Sequence, residues 1–144
     1  MSPVRRFASL RVDGVLYGLE VGHVEEVLPD TALTRLPLAA PAVRGIMNLR
    51  GRIVTVLDLR RCFGLAERPA GRPPVKLVLR TADNPLGLLA DEVGDVIEVE
   101  DARFAPRPEH ARGPGHELVA GVYRLDSELL RVLDVDRLRA HAEA

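Results

Sequence analysis

The sequence predicts an all-β protein, mainly β with short helices, built as two small barrel-like lobes packed side by side. Three observations carry this reading. Apolar runs are short and rich in Val, Ile and Leu; Gly and Pro punctuate them at turn-like intervals; and the second half of the chain repeats the plan of the first. Closure into barrels removes exposed strand edges that a chain of 144 residues has little material to cover. At 47% hydrophobic and 28% charged, the chain has a globular composition. A chain of this size buries about 70% of its unfolded surface. We expect a single domain over residues 1–144, with subdomains at 15–70 and 71–135 and a terminal helix at 134–142.

The elements follow in order. FASLRV and VLYGLEV read as two antiparallel strands joined at Asp13 and Gly14, residues that tolerate the positive φ of a tight hairpin turn. Which barrel this first hairpin completes is open from sequence. From Val21 to Leu28 the apolar residues Val21, Val24, Val27 and Leu28 fit one helical face, and Pro29 stops the run, so a short helix is expected there. After a loop bracketed by Pro37 and Pro41 come two apolar runs separated by Arg50 and Gly51. The second, Ile53 to Leu59, is β-branched enough for a buried strand. Asp58 stands where it would cap a short helix through RRCFG. Leu65 to Pro74, with Pro69, Gly71, Pro73 and Pro74, is the best linker. VKLVLRT, LGLLADEV and DVIEVE read as three strands, and Asp101 to Gly115 as a loop. LVAGVYRL and ELLRVLDV form a last hairpin before the helix DRLRAHAEA.

The duplication is gap-free over its clearest stretch. GIMNLRGRIVTVLDL lies over GVYRLDSELLRVLDV, matching Gly45 with Gly121, Leu49 with Leu125, and Val56, Leu57 and Asp58 with Val132, Leu133 and Asp134. Upstream, Gly18, Leu19, Val24 and Val27 match Gly87, Leu88, Val93 and Val96 at one constant offset.

Chemistry-bearing motifs are missing. No apolar run approaches the roughly 20 residues of a membrane-spanning helix, and Met1 to Arg11 carries no signal-peptide pattern, so a cytoplasmic protein is expected. The single cysteine, Cys62, excludes an internal disulfide and reads as a core residue. His23, His110, His116 and His141 lack metal-ligand spacing, and there is no G-x-S-x-G elbow or Gly-rich phosphate loop. We therefore expect no catalytic site, metal or cofactor. Asp58 and Asp134 read as helix caps at equivalent repeat positions in preference to a catalytic carboxylate pair. Asp91 and Glu92 read as a solvated turn. Aromatic residues at 3%, without tryptophan, argue against stacking platforms for nucleic acid. Charge is unevenly spread: Arg44 to Arg72 is net +5, while Asp83 to Asp101 is net −7. Ordinary solvated faces and complementarity to protein partners both fit that split. Glu26 and Arg50 each sit among apolar neighbours, and spacing alone does not choose between an ion pair and two unrelated charges.

VRGIMNLRGRIVTVLDLRRCFGL strongly resembles the signature of the CheW family of chemosensory coupling proteins, in which the NLRG and V-x-x-LDL elements occur together. LYGLEVGHVEEVLP resembles the family's first strand and helix, VKLVLRTADNPLGLLADEVGDVIEV its central strands, and LVAGVYRLDSELLRVLDVDRL its closing hairpin and helix. The resemblance implies two SH3-like five-stranded β-barrels around a common interface, in a non-catalytic adaptor. Such an adaptor ties chemoreceptor cytoplasmic tips to the regulatory domain of a CheA-type histidine kinase, makes ring contacts with CheW-like folds, and is recruited from the cytoplasm to membrane-associated arrays. By resemblance the receptor tip lies in the groove between lobes, and the binding positions are Val24, Glu26, Gly45, Asn48, Arg50, Gly51, Val75 and Leu77. A non-flagellar pathway controlling gliding, pili or a second messenger, or a stand-alone kinase regulatory domain, fits the same resemblance. Two positions depart from the family pattern: Thr55, where many relatives have proline, and Lys76, a charge in a strand where apolar residues are common.

Overall fold

A computed structural model describes residues 3–143. Two antiparallel-rich sheets make up the fold. The strands are β1 (Val4–Val12), β2 (Val15–Glu20), β3 (Val24–Pro29), β4 (Val43–Leu49), β5 (Arg52–Asp58), β6 (Val75–Leu79), β7 (Leu86–Ala90), β8 (Glu92–Glu100), β9 (Phe104–Pro106), β10 (Val119–Arg124) and β11 (Leu129–Leu133). The helices are α1 (Leu59–Cys62) and α2 (Val135–Glu143). One sheet, lobe 1, runs β3-β6-β7-β5-β4; the other, lobe 2, runs β8-β1-β2-β11-β10-β9.

The duplication is written into these orders. Position by position, β3, β6, β7, β5 and β4 of lobe 1 correspond to β8, β1, β2, β11 and β10 of lobe 2. Each sheet has one parallel pairing, and the repeat equivalents meet there: Val56 opposite Gly87, and Val132 opposite Gly18. The register shift at Val43/Gly45 in lobe 1 recurs at Val119/Gly121 in lobe 2.

The expected subdomain boundary between residues 70 and 71 does not coincide with the sheets. β6 and β7 lie beyond it yet belong to lobe 1, while the first hairpin, β1 and β2, completes lobe 2. Each repeat thus gives its opening strand, β2 or β7, to one sheet and its later strands, β3 to β5 or β8 to β11, to the other. A linear cut cannot separate lobes that exchange strands.

The expected helix at Val21–Leu28 is a second correction. Only Val21–His23 turns, as a single 3-10 turn, and β3 follows at once. The cause is a bulge. Val24 pairs with Leu79 and Val27 with Leu77, so residues three apart on β3 face residues two apart on β6. An extra residue in a strand imitates helical spacing. The expected loop from Asp101 also contains the short edge strand β9.

The largest apolar cluster lies between the lobes: Leu10, Leu19 and Leu133 from lobe 2 pack with Leu57, Leu77 and Leu88 from lobe 1, and Leu138 of α2 closes it. Each barrel has its own smaller interior, with Val54, Val56, Val78 and Leu89 in lobe 1 and Phe7, Tyr123 and Leu130 in lobe 2. The junction between lobes is a packed core, and it opens to solvent only at its rim.

Candidate functional site

The rim is built on the β4–β5 hairpin. Its two turn residues, Arg50 and Gly51, both have positive φ, 51° and 86°, the conformation of a two-residue turn whose twist matches the flanking strands. Asn48 Oδ1 accepts a hydrogen bond from the Gly51 N–H at 3.0 Å and fixes that turn. Arg50 is thereby held out over β3, where its guanidinium pairs with Glu26. Beside it Arg52 pairs with Glu25 at 2.6 Å. The pairing of Glu26 and Arg50, left open by sequence, is formed. Both pairs keep one half-exposed arginine, so they fix orientation more than they stabilise the fold.

Gly45 supports this hairpin from behind. Its φ is +154°, and a Cβ there would stand 2.6 Å from the Thr34 carbonyl oxygen. That close approach lets Thr34 and Ile46 exchange two backbone hydrogen bonds, at 2.9 and 2.8 Å. Any side chain at position 45 would separate them.

The remaining expected positions divide by burial. Val24 and Val75 are half-buried, whereas Leu77 is fully buried in the core between the lobes. Leu77 therefore shapes the wall and offers no surface to a partner, a correction to its expected role as a contact. β6 is also not the strand that opens the second lobe; it lies within lobe 1. Sequence reading missed Val27 and Ile53, each 48% exposed. Val27 is in register with Leu77 and so shares the face turned toward the other lobe. Only its place on an edge strand leaves it open. Above the junction a groove of about 490 Å³ runs between lobe 1 and α2, lined by Thr55, Leu86, Asp83, Arg139 and Ala142, with Arg139 paired to Asp83 across it. Thr55 thus faces an open groove while remaining a regular member of β5.

A second polar cluster lies where the linker returns to lobe 1. Asp58 caps α1 by accepting from the Arg60 N–H at 3.0 Å, and is fully buried. Arg68, from the linker, donates to both Asp58 carboxylate oxygens at 2.9 Å. Asp91 receives Arg60 at 2.7 Å, and Arg68 Nε stands 2.8 Å from it. Asp91 is no solvated turn. Burial alone would raise its pKa, but hydrogen bonds from Arg60 and the Asp13 N–H and the charges of both arginines outweigh burial and hold it below the usual carboxylate range. Arg60, of the net-positive stretch, is thus paired with Asp91 of the net-negative one, and Arg68 bridges Asp91 and Asp58, so part of the charge split is internal.

Cys62 is buried and its thiol pushed up to about 12, chiefly by burial, which makes a poor nucleophile. No helix among the described residues is long and apolar enough to cross a membrane, and no cluster of three His, Cys, Asp or Glu side chains among them could hold a metal ion. What the geometry does offer is a rigid rim of paired charges beside exposed apolar edge residues, suited to holding another protein.

That geometry meets its match in sequence: the family model of the CheW-like domain aligns with residues 6–143. The chain belongs to the CheW-like domain family. Among relatives, the chemotaxis protein CheW of Treponema pallidum is 30% identical over 132 residues, 89% of this chain and 78% of that one. CheW of Klebsiella aerogenes is 28% identical over 88% of this chain and 76% of its own. Protein PilI of Pseudomonas aeruginosa is 34% identical over 83 residues, 58% of this chain and 47% of its own. Among solved structures, the scaffolding protein TtCheW from Thermoanaerobacter tengcongensis superposes with a TM-score of 0.82 at 26% identity, covering 93% of this chain and 90% of that one. The CheW-like domain family is an adaptor and scaffold family, and the mostly β, two-sheet fold of this chain is that of TtCheW.

Proposed function

We propose that this CheW-like chain is a non-catalytic coupling adaptor that joins chemoreceptor cytoplasmic tips to a CheA-type histidine kinase in a bacterial chemosensory array. The observation that carries this reading is the Glu26–Arg50 pair, formed on a preorganised turn inside a family match that spans almost the whole chain. A helical receptor tip docks by laying apolar side chains on the rim near Val24, Val27 and Ile53, while Glu26 and Arg50 set its orientation. Leu77 and Val75 support that surface from beneath. Ring contacts with other CheW-like folds use the barrel ends. Each such contact is weak alone, and the array's multivalency makes the assembly. The chain works in the cytoplasm and is recruited to membrane-associated receptors.

The likeness to PilI favours a second reading of the same mechanism, an adaptor in a pathway that controls pili rather than flagella. In a reconstituted mixture of receptor fragments and kinase, Arg50→Ala and Glu26→Ala should lower kinase activation at least about tenfold, the loss of a docking contact worth about 1.4 kcal/mol, with the fold intact by circular dichroism. Activation at the wild-type level in both variants overturns the assignment.

A further inference from the structure

Lys76 is fully buried, yet no carboxylate pairs with it among the described residues. It stands on β6 in register with Leu28 of β3 and Leu89 of β7, so its side chain enters the apolar interior of lobe 1. There Nζ donates to Thr31 Oγ1 at 2.7 Å and lies 3.3 Å from Met47 Sδ. Burial pushes the ammonium below the usual lysine range, opposed by the charge of Asp30. An apolar side chain of the same length would avoid that desolvation, as isosteric replacements of buried charges commonly do.

The two contacts of Lys76 lie on opposite sides of one gap. Lobe 1 is a sheet whose edges, β3 and β4, do not form a continuous ladder with each other. Outside, Glu26 and Glu25 of β3 reach Arg50 in the β4–β5 turn and Arg52 at the start of β5, and the Thr34–Ile46 bridge ties the segment after β3 to β4 itself. Thr31 belongs to the segment that leaves β3 for Thr34, and Met47 adjoins Ile46 on β4. We propose that Lys76 is a positioning residue, an internal clasp that holds the β3 and β4 edges of lobe 1 together and so sets the spacing between Glu26 and Arg50. Its effect on coupling rests on the function proposed above; its effect on the edges does not.

The test reads amide hydrogen exchange at Thr34 and Ile46 in the isolated full-length chain, together with thermal unfolding. Lys76→Met should keep the fold and raise the unfolding midpoint, yet speed exchange at those two amides about tenfold by loosening the local opening equilibrium. Thr31→Val should speed it too, and Thr31→Ser, which keeps the hydroxyl, should leave it at the wild-type rate. Should Lys76→Met not fold, the two Thr31 variants still decide the matter. Exchange in Lys76→Met as slow as in wild type, or Thr31→Ser behaving like Thr31→Val, overturns the clasp. A loosened pair of edges with kinase activation unchanged overturns its role in positioning the rim, whereas Arg50→Ala without effect removes the coupling reading and leaves the clasp standing.

Discussion

Asp58 and Asp134 occupy the same place in the two repeats, and their surroundings have diverged. Both follow a buried strand and open a helix, and both N–H groups bond to equivalent carbonyls, those of Ala42 and Leu118, at 2.9 and 2.8 Å. There the likeness ends. Asp134 caps a nine-residue helix through the Arg137 N–H, stays one-third exposed, and has the Arg137 guanidinium only loosely, at 3.6 Å. Asp58 caps a four-residue helix, is fully buried, and is gripped by Arg68 from the linker. The difference lies in what comes next. After α1 the chain doubles back to β6, and Arg68 of the returning segment covers Asp58, whereas Asp134 stays partly open beside α2. A covered carboxylate needs a cation. The same residue is therefore a partly open helix cap in one repeat and the anchor of a loop in the other.

The contrast sets an order of effects. Arg68→Ala leaves buried Asp58 without its guanidinium, so it should destabilise by about 3 kcal/mol, the low end for breaking a buried ion pair; denaturant unfolding measures this, and a loss comparable to a surface charge deletion would erase the distinction. Asp134→Ala removes a half-open cap and should cost about 1 kcal/mol in the same measurement. If it costs as much as Arg68→Ala, the repeats are equivalent after all. A smaller effect follows from Asp91, which shares Arg68 with Asp58. Its pKa in the fold lies below the ordinary value of 3.8, so the native state binds fewer protons than the unfolded chain in that range. The stability it contributes is complete above pH about 4 and is lost as pH falls through the lower, folded value. Asp91→Asn should flatten that acid limb of the stability curve, and an unchanged limb would assign the acid sensitivity elsewhere.

Much of this was legible in the residues, for identifiable reasons. The hairpin turns were, because Asp13–Gly14 supplies residues that accept positive φ and Arg50–Gly51 interrupts two apolar runs, although positive φ at Arg50 itself was not readable. The duplication was, because matched glycines and V-L-D triplets keep constant spacing, and the sheets reproduce it in five strands each, with β9 added at the edge of lobe 2. Two features were not. β3 reads as a helix because a bulge turns its alternation into a three-residue step, and only the partner strand reveals the bulge. The partner of Asp58 was invisible because Arg68 lies in a segment whose Pro and Gly content marks it as a linker, with no pattern to say that one of its arginines goes inside. For the rim, sequence supplied Glu26 and Arg50 but not Val27 and Ile53, whose exposure depends on which strand edges stay open.

The exchange of opening strands between repeats has a practical result. A protease that nicks the chain between Leu65 and Pro74 would leave an N-terminal piece with β1 to β5 and a C-terminal piece with β6 to β11. Each sheet draws strands from both pieces. The nicked molecule should therefore migrate as one body on gel filtration, and two separately made fragments should reassemble when mixed, whereas pieces that part without denaturant would mean that the two halves are not interlocked.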